Sequence, residues 1–145
     1  MPNRRLLTAF LILSIGVSLM SCSEGRVSQC NRLIGIANEA ASSVEAVTST
    51  ASPDDPDAFL RIADAAEQAT SELENLEVAD TELQNYQQQF ISLYVETSAA
   101  TRRLVDAVKN QDAEAADAAY MELEEATERE IPLVDEINNY CGGSA

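Results

Sequence analysis

The sequence predicts an all-α fold, an antiparallel up-down-up-down four-helix bundle, from three observations. Apolar residues recur at three- and four-residue intervals through four successive segments, the period that keeps them on one stripe of a helix. No segment alternates apolar and polar residues for long enough to make a strand. Cys30 and Cys141 stand at the start of the first segment and the end of the last, and an even number of antiparallel helices returns those two places to the same end of a bundle. Composition agrees, with only 5 glycines in 145 residues and alanine, leucine and glutamate abundant.

The first helix is read from Cys30, Ile34, Ala37, Ala41, Val44 and Val47. The break Ser52-Pro53-Asp54-Asp55-Pro56-Asp57 then supplies N-cap side chains, prolines suited to a first turn, and carboxylates at a helix N-terminus. Phe59, Ile62, Ala66, Ala69, Leu73 and Leu76 form the second stripe. The third uses Leu83, Tyr86, Phe90, Leu93, Thr97, Ala100, Leu104 and Ala107, with Asp80 as its natural cap. So little chain separates the second and third stripes that they must either reverse sharply or run on as one bent helix, which leaves a three-helix body as the rival architecture. Asp112 caps the fourth segment, carried by Ala116, Ala119, Leu123, Ala126, Leu133, Ile137 and Cys141. Pro132 lies inside it, lacks a backbone donor, and is expected to kink that helix or split it near Glu130. The many alanines in the stripes imply close helix approach and a thin core.

The first 21 residues are of another kind. Arg4 and Arg5 precede an apolar run over residues 6–20, and small Ser21 precedes Cys22. About 15 apolar residues suit the central region of a signal peptide and fall short of the ~20 that a membrane span needs. The stretch Leu19-Met20-Ser21-Cys22 resembles the lipobox of bacterial lipoproteins. That resemblance covers residues 1–22 and implies a diacylglyceryl thioether on Cys22, cleavage after Ser21, and a stable anchor once two or three acyl chains are present. Ser23 follows, where inner-membrane enteric lipoproteins carry Asp, so the outer membrane is favoured over the inner if the cell is Gram-negative. The division expected is a signal peptide over 1–21, a lipidated cysteine and short tether over 22–29, a helical body over 30–141 and a flexible tail over 142–145.

Lipidation takes one of 3 cysteines. Cys30 and Cys141 are left in a compartment where disulfides persist, so one intramolecular bridge is expected, with free thiols or an intermolecular pair as the alternatives. Cys22 lies eight residues before Cys30, under about 30 Å even when extended. The bridged end should therefore face the membrane. The turns between the first and second and between the third and fourth helices should form a distal tip about 35 Å away.

Charge and missing residues exclude several functions. Removing residues 1–21 takes away two of 9 basic residues and none of the 25 acidic ones, leaving a formal charge of −18. A body this acidic is repelled by nucleic acid and by anionic head groups. There is no histidine, which rules out a Ser-His-Asp or Cys-His nucleophile, His-ligated haem and the Glu-x-x-His pairs of di-iron bundles. No glycine-rich phosphate loop is present. Only a carboxylate pair is left for catalysis, so the expectation is a protein that is not an enzyme and holds no cofactor.

Some residues still invite a role. Asp54, Asp55, Asp57 and Asp112 would lie at the distal tip, where a soluble partner arrives first, although capping alone accounts for them. Glu122, Glu125 and Glu128 fall on one face and could loosely collect a divalent cation, although a solvated face explains them as well. Arg102 has Asp106 one turn away, and Arg129 has Glu125, spacings that suit weak surface ion pairs. Tyr86, Tyr94, Tyr120 and Tyr140 could line a pocket or sit at the edge of the core. The function expected is a membrane-anchored envelope lipoprotein, bound to the bilayer through acylated Cys22, whose bundle meets an envelope protein or serves as structure. The alternative is an envelope bundle that binds a small ligand or a divalent cation.

Overall fold

The computed structural model describes residues 25–51 and 55–142. They form four helices: α1 (Arg26–Thr50), α2 (Pro56–Asn75), α3 (Thr81–Lys109) and α4 (Ala113–Gly142). No strand occurs among the described residues. α3 packs along α2 on one side and α4 on the other, α1 lies against α2, and α1 touches α3 and α4 only sparingly. The bundle is thus a four-helix one with an uneven seam between its first and last helices.

Each break has a local cause. Asp55 caps α2, its Oδ1 accepting the Asp57 N–H at 3.0 Å with Pro56 in the first turn. Asp80 caps α3 by accepting the Glu82 and Leu83 N–H groups, each at 3.0 Å, and Asp112 accepts the Ala115 N–H at 3.0 Å to start α4. α3 ends in a Schellman motif: Asp112 N–H reaches back to Ala107 O and Gln111 N–H to Val108 O. Gln111 takes the left-handed conformation this requires, with φ 58°.

The middle segments are separate helices, so the three-helix alternative does not hold. Residues 76–80 reverse the chain, and two buried glutamines hold the reversal. Gln29 Oε1 accepts the Ala79 N–H at 2.7 Å and the Asp80 N–H at 3.0 Å. Gln87 Nε2 donates to the carbonyls of Leu73 and Leu76 at the end of α2. Replacing Gln29 by Leu keeps the volume but strands two loop donors, so a loss of about 1–3 kcal/mol is expected. Urea denaturation checks this, and an unchanged midpoint would show that water serves those donors equally well.

Two further expectations need correcting. α1 starts at Arg26 rather than Cys30, because residues 26–29 carry a buried Gln29 and the Arg26 guanidinium covers the Tyr140 ring at 5.1 Å. α4 is not split near Glu130, since one helix runs through Pro132. The carbonyl that Pro132 leaves without its helical donor belongs to Glu128, which is exposed and open to hydration.

The core is concentrated at one end. Leu33, Leu73, Leu83, Phe90, Leu133 and Ile137 are buried there. Sγ of Cys30 and Sγ of Cys141 close a disulfide across the same end, joining α1 to α4 over a sequence separation of 111 residues. Tyr140 donates its hydroxyl to the Asp80 carboxylate and packs on Tyr86, tying the end of α4 to the start of α3. Toward the other end the buried side chains shrink to Ala58, Ala63, Ala100, Val105, Ala107 and Ala119. α1 has no buried residue beyond Ala40. Alanine stripes cannot fill the space between four helices, and this half stays open.

Candidate functional site

The open half contains a cavity of about 520 Å³ lined by all four helices. On α2, α3 and α4 the lining residues are three or four apart and so share one face, and α1 presents the slightly wider strip Ala40, Ala41, Val44, Glu45 and Thr48. Val44 and Thr48 come from α1, and Phe59 and Ile62 from α2. Tyr94, Thr97 and Thr101 come from α3, and Leu123, Thr127 and Glu130 from α4. The cavity lies in the gap left where α1 and α4 fail to close on one another. Its threonines donate to their own helices: Thr97 to Leu93 O, Thr101 to Thr97 O and Thr127 to Leu123 O. With those donors engaged, the walls are chiefly apolar.

Two acids and no base line this space, Glu45 at its edge and Glu130 half-buried in its wall. Burial raises the Glu130 carboxyl above the usual carboxylate range, and the Tyr94 hydroxyl beside it offsets part of that rise. Burial, with the Glu130 charge adding to it, pushes the Tyr94 hydroxyl far above the ordinary phenol range. The two groups face each other without closing a well-formed hydrogen bond, and the Tyr94 hydroxyl is buried with no partner. A wider groove beside residues 76–80 is polar and shallow, and the Gln29, Gln84 and Gln87 amides along it are already bonded to the loop or to the end of α2.

The residues singled out from the sequence are distributed differently. Cys22 and Asp54 lie outside the described residues. Asp55, Asp57 and Asp112 do flank the two turns at the end opposite the disulfide, where Asp55 and Asp112 cap helices and Asp55 also meets Arg61 at 3.5 Å. Glu122, Glu125 and Glu128 are exposed along α4. Among the described residues no group of three or more His, Cys, Asp or Glu side chains converges to hold a metal ion, and Glu122 is engaged by Arg103. The tyrosines part company: Tyr86 is buried, Tyr140 is bonded to Asp80, Tyr120 is 61% exposed, and Tyr94 alone of the four lines the cavity.

The arginines pair across helices instead of along them. Arg102 bonds Asp64 at 2.7 Å and Glu67 at 2.9 Å on α2, in place of Asp106. Two carboxylates one turn apart on the facing helix engage two edges of its guanidinium, Nη2 meeting Asp64 and Nε meeting Glu67. Arg129 pairs with Glu96 on α3, in place of Glu125.

These pairings set a pH response. The Glu67 carboxyl is held below its usual range, chiefly by Arg102, that of Glu96 by Arg129, and that of Asp80 by the Leu83 N–H. For a depressed carboxylate the stabilisation is present above the unfolded value of about 4 and is lost as pH falls through the folded one. Glu130 is raised and works in the opposite sense, as does relief of the −16 net charge. The melting temperature is therefore expected to hold or rise slightly from pH 7 to about 5 and to drop below about 4. The acid-side loss should shrink in high salt, because these pairs are exposed. Melts across that range at two salt concentrations check both signs.

No family model, curated protein or solved structure matches this chain.

Proposed function

We propose that this is a lipid-anchored, non-catalytic helical bundle of a bacterial cell envelope, acylated on Cys22 and serving as an interaction or structural module. The observation that carries the reading is the disulfide between the second turn of α1 and the last turn of α4. In sequence it lies near the lipobox-like stretch, since Cys22 precedes the first helical residue, Arg26, by four positions. No described helix is long and apolar enough to cross a membrane, and attachment in this reading rests on the acyl chains, of which two or more hold stably. The stapled, well-packed end would then stand at the bilayer, and the capped acidic turns would face outward. Ser23 favours the outer membrane if the cell is Gram-negative.

Metabolic labelling of the full precursor in a bacterial host with an alkyne-tagged palmitate tests this. Label and membrane recovery are expected for the native chain, and both should be lost in Cys22→Ser. An unlabelled native chain, or a Cys22→Ser chain that still takes label, would end the anchored reading. A second reading, small-ligand binding, is favoured by the cavity between the helices.

A further inference from the structure

We propose that the cavity in the open half of the bundle is a binding site for a small amphiphilic amine, its ammonium paired with Glu130 and its apolar body against Val44, Phe59, Ile62 and Leu123. The inference stands apart from the anchor, because every residue involved lies in the helices and none depends on acylation.

Four observations carry it. The volume of about 520 Å³ falls within the roughly 300–1,000 Å³ of small-molecule pockets, and four helices contribute to its walls. Those walls are chiefly aliphatic and aromatic, and the threonines along them have their donors engaged within their own helices. This favours an apolar body and leaves few groups to recognise a sugar or other many-hydroxyl ligand. The charge present has one sign: Glu45 and Glu130 line the space with no Lys or Arg among the lining residues. A fatty acid or other anion would meet two carboxylates and no counter-charge, whereas a cation is matched locally and drawn in by the net charge of −16.

The fourth observation fixes the place of the head group. The Tyr94 hydroxyl, on a residue only 6% exposed, lies beside the Glu130 carboxyl without a hydrogen bond of good geometry. A buried hydroxyl in that condition weakens a fold, and a cation that keeps the half-buried Glu130 carboxyl beside it ionised supplies the acceptor its O–H needs. An ammonium can donate to the Glu130 carboxylate from the cavity side, while the Tyr94 hydroxyl stands behind that carboxylate, closed to solvent. In a partly desolvated wall that charge-assisted contact is stronger than its counterpart in water. The aromatic faces of Phe59 and Tyr94 suit the carbon skeleton of the same ligand, and a nearby cation as well.

The test uses the chain over residues 22–145 carrying Cys22→Ser, oxidised, which contains all four helices and the disulfide. Titration calorimetry and amide chemical shifts would be recorded with three probes of one skeleton: phenethylamine, 2-phenylethanol and phenylacetate. Saturable one-to-one binding of the amine is expected, with shifts centred on Tyr94 and Glu130. The alcohol should bind at least about 10-fold more weakly, as loss of a charge-assisted bond implies, and the carboxylate weaker still. Glu130→Gln should cost the amine about the same factor and leave the alcohol unaffected. Leu123→Trp, which fills the space, should abolish both. Folding of each variant is checked by its helical signal and melting temperature, and Tyr94→Phe offers a second head-group variant that keeps the ring. The proposal is overturned if the three probes bind alike, if Glu130→Gln leaves the amine unchanged, if shifts fall elsewhere on the surface, or if no probe saturates.

Discussion

Reducing the Cys30–Cys141 bridge is expected to lower the melting temperature by roughly 15 °C, corresponding to about 4–5 kcal/mol for a loop of this length in a domain of this size. The sequence separation of 111 residues makes the closed loop almost the whole body. Packing reinforces the effect. α1 is held mainly by α2 and only sparingly by α3 and α4, so the bridge is its principal tie to the last helix. Loss should be felt first in α1, as faster amide exchange over residues 26–50, before the α2, α3 and α4 core gives way. Circular-dichroism melts with and without reductant, and of the Cys30→Ser/Cys141→Ser double variant, measure it. A melting temperature indifferent to reduction would show that helix packing alone holds α1 in place.

The second large effect separates the two halves of the bundle. Phe90 is 1% exposed among Leu33, Leu73, Leu83 and Ile137, in ring contact with Tyr94 at 5.9 Å between centroids. Truncating it to alanine leaves a cavity in tightly packed surroundings and should cost about 3–5 kcal/mol. Phe59 has the same chemistry but lines a space that is already open and is itself only partly buried. Its truncation removes less buried area and creates little new void, so about 1 kcal/mol is expected. Urea denaturation of Phe90→Ala and Phe59→Ala side by side decides the matter. Equal losses would mean that the two ends are equally well packed.

Much of this architecture was legible in the residues. The stripes showed the helices, and the break over residues 52–57, Asp80 and Asp112 marked the starts of α2, α3 and α4, because periodicity and capping act within a turn or two of chain. Cys30 and Cys141 could be matched because a bundle's topology constrains its ends. Contacts set by packing between helices were less accessible. Gln29 looks like an ordinary polar position, yet it is buried and holds a loop fifty residues away. Arg102 and Arg129 had acids nearby in sequence and took others across the helix interface. The site itself was only half visible. From the sequence Tyr94 reads as a pocket or core-edge residue and Glu130 as one acid among several on the fourth helix beside Pro132; their juxtaposition arises only once α3 and α4 lie side by side. The thin core was foreseeable from the alanines. Its confinement to one end follows from where Leu33, Leu73, Leu83 and Ile137 stand relative to the bridge.

That bridge also makes the body a ring. With residues 30 and 141 joined, a protease that nicks the exposed turn at residues 110–112 opens the ring without releasing a fragment. The nicked molecule keeps its full mass until a reductant is added, and then parts into two pieces. Damage at the exposed tip would leave such a molecule covalently whole.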